Sequence, residues 1–219
     1  MRKVRRIVVS EKTTPAKPYH HGDLRAALLE AAELELAEKG IEGFTLRGCA
    51  KRAGVSHAAP AHHFGDAAGL LTALAAQGFE RFIETQTRVK TAARPVDARA
   101  NLLAAGIGYL TFAWENQALF RLMFSSERRD DANVHLAQRA QAAYMQLADD
   151  VAAVRGDENT PPQPNDVDVI AAWAMVHGLS DLMISGRIML DGLSETERHA
   201  ALESIIARVM PEPGATRTT

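Results

Sequence analysis

Along much of this chain apolar residues recur every three or four positions, the spacing that puts them on one side of a helix. Leu28, Ala31, Ala32 and Leu36 form the first such stripe, with Asp23 placed to cap it and Gly40 to end it. Leu46, Cys49, Ala50 and Ala53 form the second. Thr45 precedes it with a hydroxyl that can accept an orphan backbone N–H, and Gly54 follows, tolerant of the left-handed conformation. Ser56 is placed to cap a short third helix, His57 to His63, with Pro60 near its start and a kink expected there. Phe64 returns the chain to a small core shared with Ile41, Phe44 and Cys49.

Longer elements follow. Gly69 to Ala92 carries Leu70, Leu71, Leu74, Phe79, Phe82 and Ile83, and Pro95 marks a break. Val96 to Trp114, with Asp97 as a cap, leads through a turn at Glu115–Asn116 into a short helix, Gln117 to Phe124. An amphipathic helix is expected from Asn133 to Arg155, then a Pro-rich polar loop from Gly156 to Asn165. Asp166 or Asp168 caps the next helix, whose residues Val167 to Val176 are apolar almost all round, implying burial on two sides. The last helix, Glu195 to Met210, carries Leu202, Ile205, Ile206, Val209 and Met210 as one stripe. Such a stripe beside a doubly buried helix suggests pairing with a second copy, four helices forming a twofold interface.

The run from Phe44 to Leu70, FTLRGCAKRAGVSHAAPAHHFGDAAGL, has a helix, a glycine turn and a capped helix in sequence. That is the layout of a helix-turn-helix, whose second helix enters the DNA major groove. An αα-hairpin inside some other helical core has the same outline. The choice between them comes from resemblance. With Leu28 to Gly40 upstream, about 50 of the 219 residues resemble the N-terminal domain of TetR/AcrR-type transcriptional regulators. The A-G-V-S run with H-F eight residues later is the specific part. YHHGDLR, Tyr19 to Arg25, is similar to the lead-in of one subgroup of that family, and Trp173, His177 and Gly178 resemble a Trp–His–Gly signature in that subgroup's C-terminal domain.

Composition adds limits. Hydrophobic residues make up 47% of the sequence and charged residues 24%, as in ordinary globular proteins. The longest uncharged apolar stretch, Asn101 to Trp114, is too short to span a bilayer, and no apolar run follows the basic start as a signal peptide would require. Cys49 is the sole cysteine, which excludes an internal disulfide and suits a reducing cytoplasm; its place on the inner face makes it a core residue. The net charge of −2 divides unevenly. Residues 1–66 carry 11 Lys and Arg against 8 Asp and Glu, and the rest carry 14 against 19. This is a mild bias toward a polyanion at the N-terminal end. Residues 1–19 hold six basic residues and no helical period, and read equally as a DNA-following arm or a solvated tail. His20 and His21 lack a carboxylate or cysteine at ligand spacing, so no metal site is expected, and no cofactor.

The candidate DNA contacts are Thr45, Arg47, Lys51 and Arg52 on the first motif helix, and Ser56, His57, Ala58, Ala59, His62 and His63 on the second. Two positions that commonly contact phosphates in the family, one aromatic and one lysine, are Ala61 and Ala67 here. The candidate effector site gathers Tyr109, Phe112, Phe120, Met123 and Phe124 with Trp173 and His177. These residues would suit an apolar or aromatic small molecule, or simply form core; His177 fits a satisfied core histidine better than a ligand contact.

No G-x-S-x-G, P-loop, paired-cysteine metal motif or Rossmann fingerprint occurs, so an enzyme is not expected. A helical dimer acting through protein partners is a third possibility, resting on Ala61 and Ala67. The expected protein is therefore all-α and cytoplasmic, without a membrane partner. It has an arm at 1–19, a DNA-binding domain at 20–68, a ligand-binding and dimerisation domain at 69–211 and a tail at 212–219. The resemblance implies a homodimeric regulator of double-stranded DNA, a repressor released from a palindromic operator by a small molecule.

Overall fold

The computed structural model describes residues 24–157, 166–188 and 192–211. The arm, Asp23 with its expected cap, His20–His21, most of the Pro-rich loop and the tail lie outside them. Among the described residues there are nine helices and no strand. They are α1 (Leu24–Gly43), α2 (Leu46–Ala53), α3 (Ala59–Phe64), α4 (Ala67–Ala93), α5 (Ala98–Glu115), α6 (Gln117–Ser125), α7 (Val134–Arg155), α8 (Val167–Ile184) and α9 (Glu195–Ala207).

The caps explain most boundaries. Thr45 Oγ1 accepts the Gly48 N–H at 3.0 Å, and Gly54 closes α2 at φ 67° with its N–H on the Ala50 and Lys51 carbonyls. Asp97 caps α5, Asn133 caps α7, and Asp166, not Asp168, caps α8 by accepting from the N–H groups of Asp168 and Val169. Asp66 starts α4 two residues ahead of the expected Gly69, accepting the Gly69 N–H at 2.8 Å. Ser194 and Glu197 form a reciprocal capping box on α9.

Five expectations need correction. Ser56 does not cap the second motif helix: α3 begins at Ala59, and Ala58 precedes it without a side-chain cap. The late start puts Pro60 in the first turn, where its missing N–H has no partner to lose, so no kink is needed. Gly40 does break α1, at φ 67°, ψ 179°, but one further turn carries the chain to Gly43. Burial of α8 on two sides is not met within the chain. Val169, Val176, Leu179 and Ser180 are buried, whereas Val167, Ile170, Trp173 and Leu182 are exposed, because α8 lies on the outside of the bundle. The α9 stripe likewise divides, with Leu202, Ile206 and Met210 turned inward and Ile205 and Val209 outward.

Helices α1 to α3 make a compact head. Leu28, Ala32, Leu36, Cys49, Ala50 and Leu70 are all at most 1% exposed there, with Phe44 behind them. Burial pushes the Cys49 thiol up to about 11, which leaves it an inert core group. Glu35 shares the inner face of α1 and is buried under α2. Arg52 Nε donates to its carboxylate at 2.7 Å, and Arg52 also bonds Glu38. The crossing needs glycine at 48, because a Cβ there would stand 1.9 Å from Glu35 Oε1.

The long α4 runs from the head into the body, where α5 packs along it and α6 to α9 surround that pair. Gly108 lets the two backbones approach, since a Cβ there would lie 2.8 Å from the Gln86 Cα. At the far end Arg155 is clamped by Asp166 at 2.8 and 2.9 Å and by Asp168 at 2.8 Å. This pairing holds the Asp166 carboxyl below its ordinary range. Helix α8 is long and apolar enough, by length and composition alone, to cross a membrane. It carries Asp168 and Asp181 and packs against α5 and α7, as an outer helix of a bundle does.

Candidate functional site

Two places gather the residues singled out from sequence. The first is the outer surface of α2 and α3. Thr45, Arg47, Lys51, Ser56, His57, Ala58, His62 and His63 are exposed there, and Ala59 is half-buried. Ala61 is exposed and Ala67 half-buried. Arg52 stands apart from this group: its guanidinium is spent on Glu35 and Glu38, and it secures α2 to α1. The His62 and His63 rings meet edge-on at 5.5 Å, and Arg25 of α1 lies 5.1 Å over the Phe64 ring behind them. Polar side chains on a two-helix corner, backed by a tight apolar core, are what a groove-reading surface requires.

The second is a cavity of about 680 Å³ in the body, lined by residues of α4, α5, α6, α7, α8 and the end of α9. Of the seven candidates Tyr109, Met123, Phe124, Trp173 and His177 line it. Phe112 and Phe120 do not. Phe112 is fully buried behind the wall, 5.3 Å from the Phe82 ring, and Phe120 packs 4.9 Å from Phe124 and 5.8 Å from Tyr109. Phe79 and Phe82 complete the aromatic wall.

The Tyr109 hydroxyl and His177 Nδ1 are hydrogen-bonded at 2.8 Å, so His177 is both partnered and part of the lining. Burial raises the Tyr109 phenol and lowers the His177 imidazole, keeping both neutral at pH 7. Sequence reasoning missed the polar pole of this cavity, Gln86, Arg129, Tyr144 and Asp150. Asp150 accepts two 2.8 Å bonds from Lys90 and one of 2.7 Å from Asn101, although burial still pushes its carboxyl upward. Gln86 comes from α4, Arg129 from the turn before α7, and Tyr144 and Asp150 from α7, and no local spacing announces them.

A cavity this size with an apolar wall and few polar groups suits a small organic molecule. Among the described residues no three His, Cys, Asp or Glu side chains converge as a metal site would. Helix α6 connects the two places. Met123 and Phe124 line the cavity, while the same helix packs on α1 of the head. Around this contact Arg81 bridges Glu33 of α1 and Asn116 at 2.6–2.7 Å, and Arg128 donates to the Ile41 carbonyl.

Comparison with known proteins agrees with this division. Residues 28–74 match the family described as bacterial regulatory proteins, tetR family, and residues 102–209 match the tetracyclin repressor-like C-terminal domain. No curated protein matches the sequence. A solved protein of unknown function from Rhodococcus sp. RHA1 is 33% identical, with a TM-score of 0.71 over 89% of this chain and 99% of its own. A TetR family transcription regulator from Marinobacter aquaeolei VT8 is 17% identical, with a TM-score of 0.61 over 85% of this chain and 95% of its own. The multidrug binding protein EbrR, solved with imidazole, is also 17% identical, with a TM-score of 0.60 over 88% and 97%. At that identity the last two are similar in fold alone.

Proposed function

The chain belongs to the TetR family of bacterial regulatory proteins, and from that premise we propose that it is a cytoplasmic, homodimeric repressor released from a palindromic operator by an apolar or aromatic small molecule. In this reading residues 20–68 bind DNA, and residues 69–211 bind the effector and dimerise. Thr45, Arg47, Lys51, Ser56, His57, Ala58, Ala59, His62 and His63 face the duplex. Tyr109, Met123, Phe124, Trp173 and His177 meet the effector. The observation that carries the reading is α6, which lines the cavity with Met123 and Phe124 and also packs on α1 of the head.

An effector that prefers one placement of α6 shifts the population of head orientations, and one without a preference shifts nothing. The bare apolar residues Val167, Ile170, Trp173 and Leu182 on α8, with Ile205 on α9 and Val209 just after it, are the surface offered to a second copy. A twofold pair of heads then requires half-sites one helical turn or a multiple apart. The apolar wall of Phe79, Phe82, Met123 and Phe124 supports an effector of low polarity.

The test is selection of binding sites from a random duplex pool by the purified chain at moderate salt. Enrichment of a palindrome is the expected result, and an inducer should then raise the operator dissociation constant without separating the dimer. A folded dimer that enriches no sequence would overturn the operator reading.

A further inference from the structure

The second motif helix presents no permanent charge. Its exposed polar groups are imidazoles: His62 and His63 on α3, with His57 in the turn just before it. Arg52, the basic residue at the end of α2, is neutralised by Glu35 and Glu38. The other charged residues on α2 and the first turns of α4, the elements packed against α3, are Arg47, Lys51 and the capping Asp66, with Arg25 of α1 over the Phe64 ring. Ala61 and Ala67 supply no phosphate donors nearby.

From this arrangement we propose that the recognition surface takes up protons from solution as it binds the duplex, through His57, His62 and His63, so that operator affinity rises as pH falls. The inference rests on the DNA-binding reading above and deepens it. Imidazole is the side chain whose ordinary titration spans pH 5 to 8. A neutral ring offers one donor and one acceptor, whereas the protonated ring offers two donors and a charge. Phosphate oxygens close to an exposed ring favour its charged form. Each ring that meets them therefore gains affinity for a proton in the complex, and by linkage each proton taken up strengthens the complex. A tenfold gain in proton affinity on binding tightens the complex by at most about tenfold per ring, and about a thousandfold for three, from the alkaline to the acid limit. The salt dependence also steepens at the lower pH, by about 0.9 in the log–log slope for each additional phosphate neutralised.

The experiment repeats the duplex selection at pH 6 and pH 8, then measures dissociation constants of the selected duplex across that range. Titration calorimetry in two buffers of different ionisation enthalpy counts the protons taken up. His57→Gln, His62→Gln and His63→Gln, made singly, should each remove its share of the proton count and flatten the pH dependence. A selected duplex bound equally well at pH 6 and pH 8 with no proton uptake would overturn this inference and leave the operator reading standing. So would uptake that persists undiminished in all three variants. Selection of no sequence at either pH overturns both.

Discussion

In the head, Leu28, Leu36, Cys49 and Leu70 are closed off until almost nothing of them meets solvent, and even the intruding Glu35 has its carboxylate matched by Arg52. In the body, Phe79, Phe82, Met123 and Phe124 stand around about 680 Å³ of unfilled space, and the helix that closes one side of it leaves Ile170 and Trp173 bare. Both regions draw on apolar side chains at helical spacing. The head uses them to fix one arrangement of three short helices, because a surface that reads DNA must keep its polar groups in register. The body leaves part of the same kind of contact unmade, and unmade contacts are what a ligand can supply.

Truncation in the two regions should separate these uses most sharply. Leu36→Ala removes a side chain 1% exposed in a closed core, and should cost about 3 kcal/mol in denaturant unfolding. Leu147→Ala removes the same atoms from a half-buried side chain of α7 that faces the cavity. It should cost less, about 1 kcal/mol. Equal losses at the two sites would break the comparison, because they would mean that the cavity wall is packed as tightly as the head.

That difference also marks what can be read from sequence. Thr45, Gly54 and Asp97 act as caps where local chemistry alone places them, and the stripes of α1 and α2 face inward as their periods require. Ser56 fails as a cap for an equally local reason, since Pro60 is best accommodated in a first turn and the helix starts late enough to put it there. The body is less legible. Periodicity finds the aromatic cluster of α5 and α6, but not which rings border empty space; Phe112 and Phe120 are as aromatic as Phe124 and lie behind it. Gln86 and Asp150 join the cavity only because α4, α5 and α7 converge. Arg52 reads as a basic residue on a DNA-facing helix until Glu35, seventeen positions earlier, is brought beneath it.

A smaller effect sharpens the contrast inside the cavity itself. Tyr109→Phe keeps the ring against Phe82, 4.9 Å away, and deletes only the hydroxyl bonded to His177. The expected loss is about 1 kcal/mol by denaturant unfolding, the net worth of a hydrogen bond. Combined with His177→Phe, the two losses should fall short of additivity by about that amount. Strict additivity would show that the two side chains contribute separately and that the cavity has no organised polar centre at this point.

The smallest expected effect is in the pH dependence of stability, and it distinguishes the histidine of the body from those of the head. His177 is held below the ordinary imidazole range chiefly by burial, with Asp181 opposing the shift. The unfolded chain therefore binds its proton at a higher pH than the folded one does. The stability that the neutral ring contributes is fully present above the unfolded value, near 6.5, and is lost as the pH falls from there through the lowered folded value. Thermal melts in the absence of DNA should decline from pH 7 toward pH 5, and His177→Gln should make that limb shallower. His62→Gln, on the open face of α3, is the control for a histidine outside the cavity. A limb equally shallow in both variants would mean that acid sensitivity does not distinguish the lined cavity from the open face of α3.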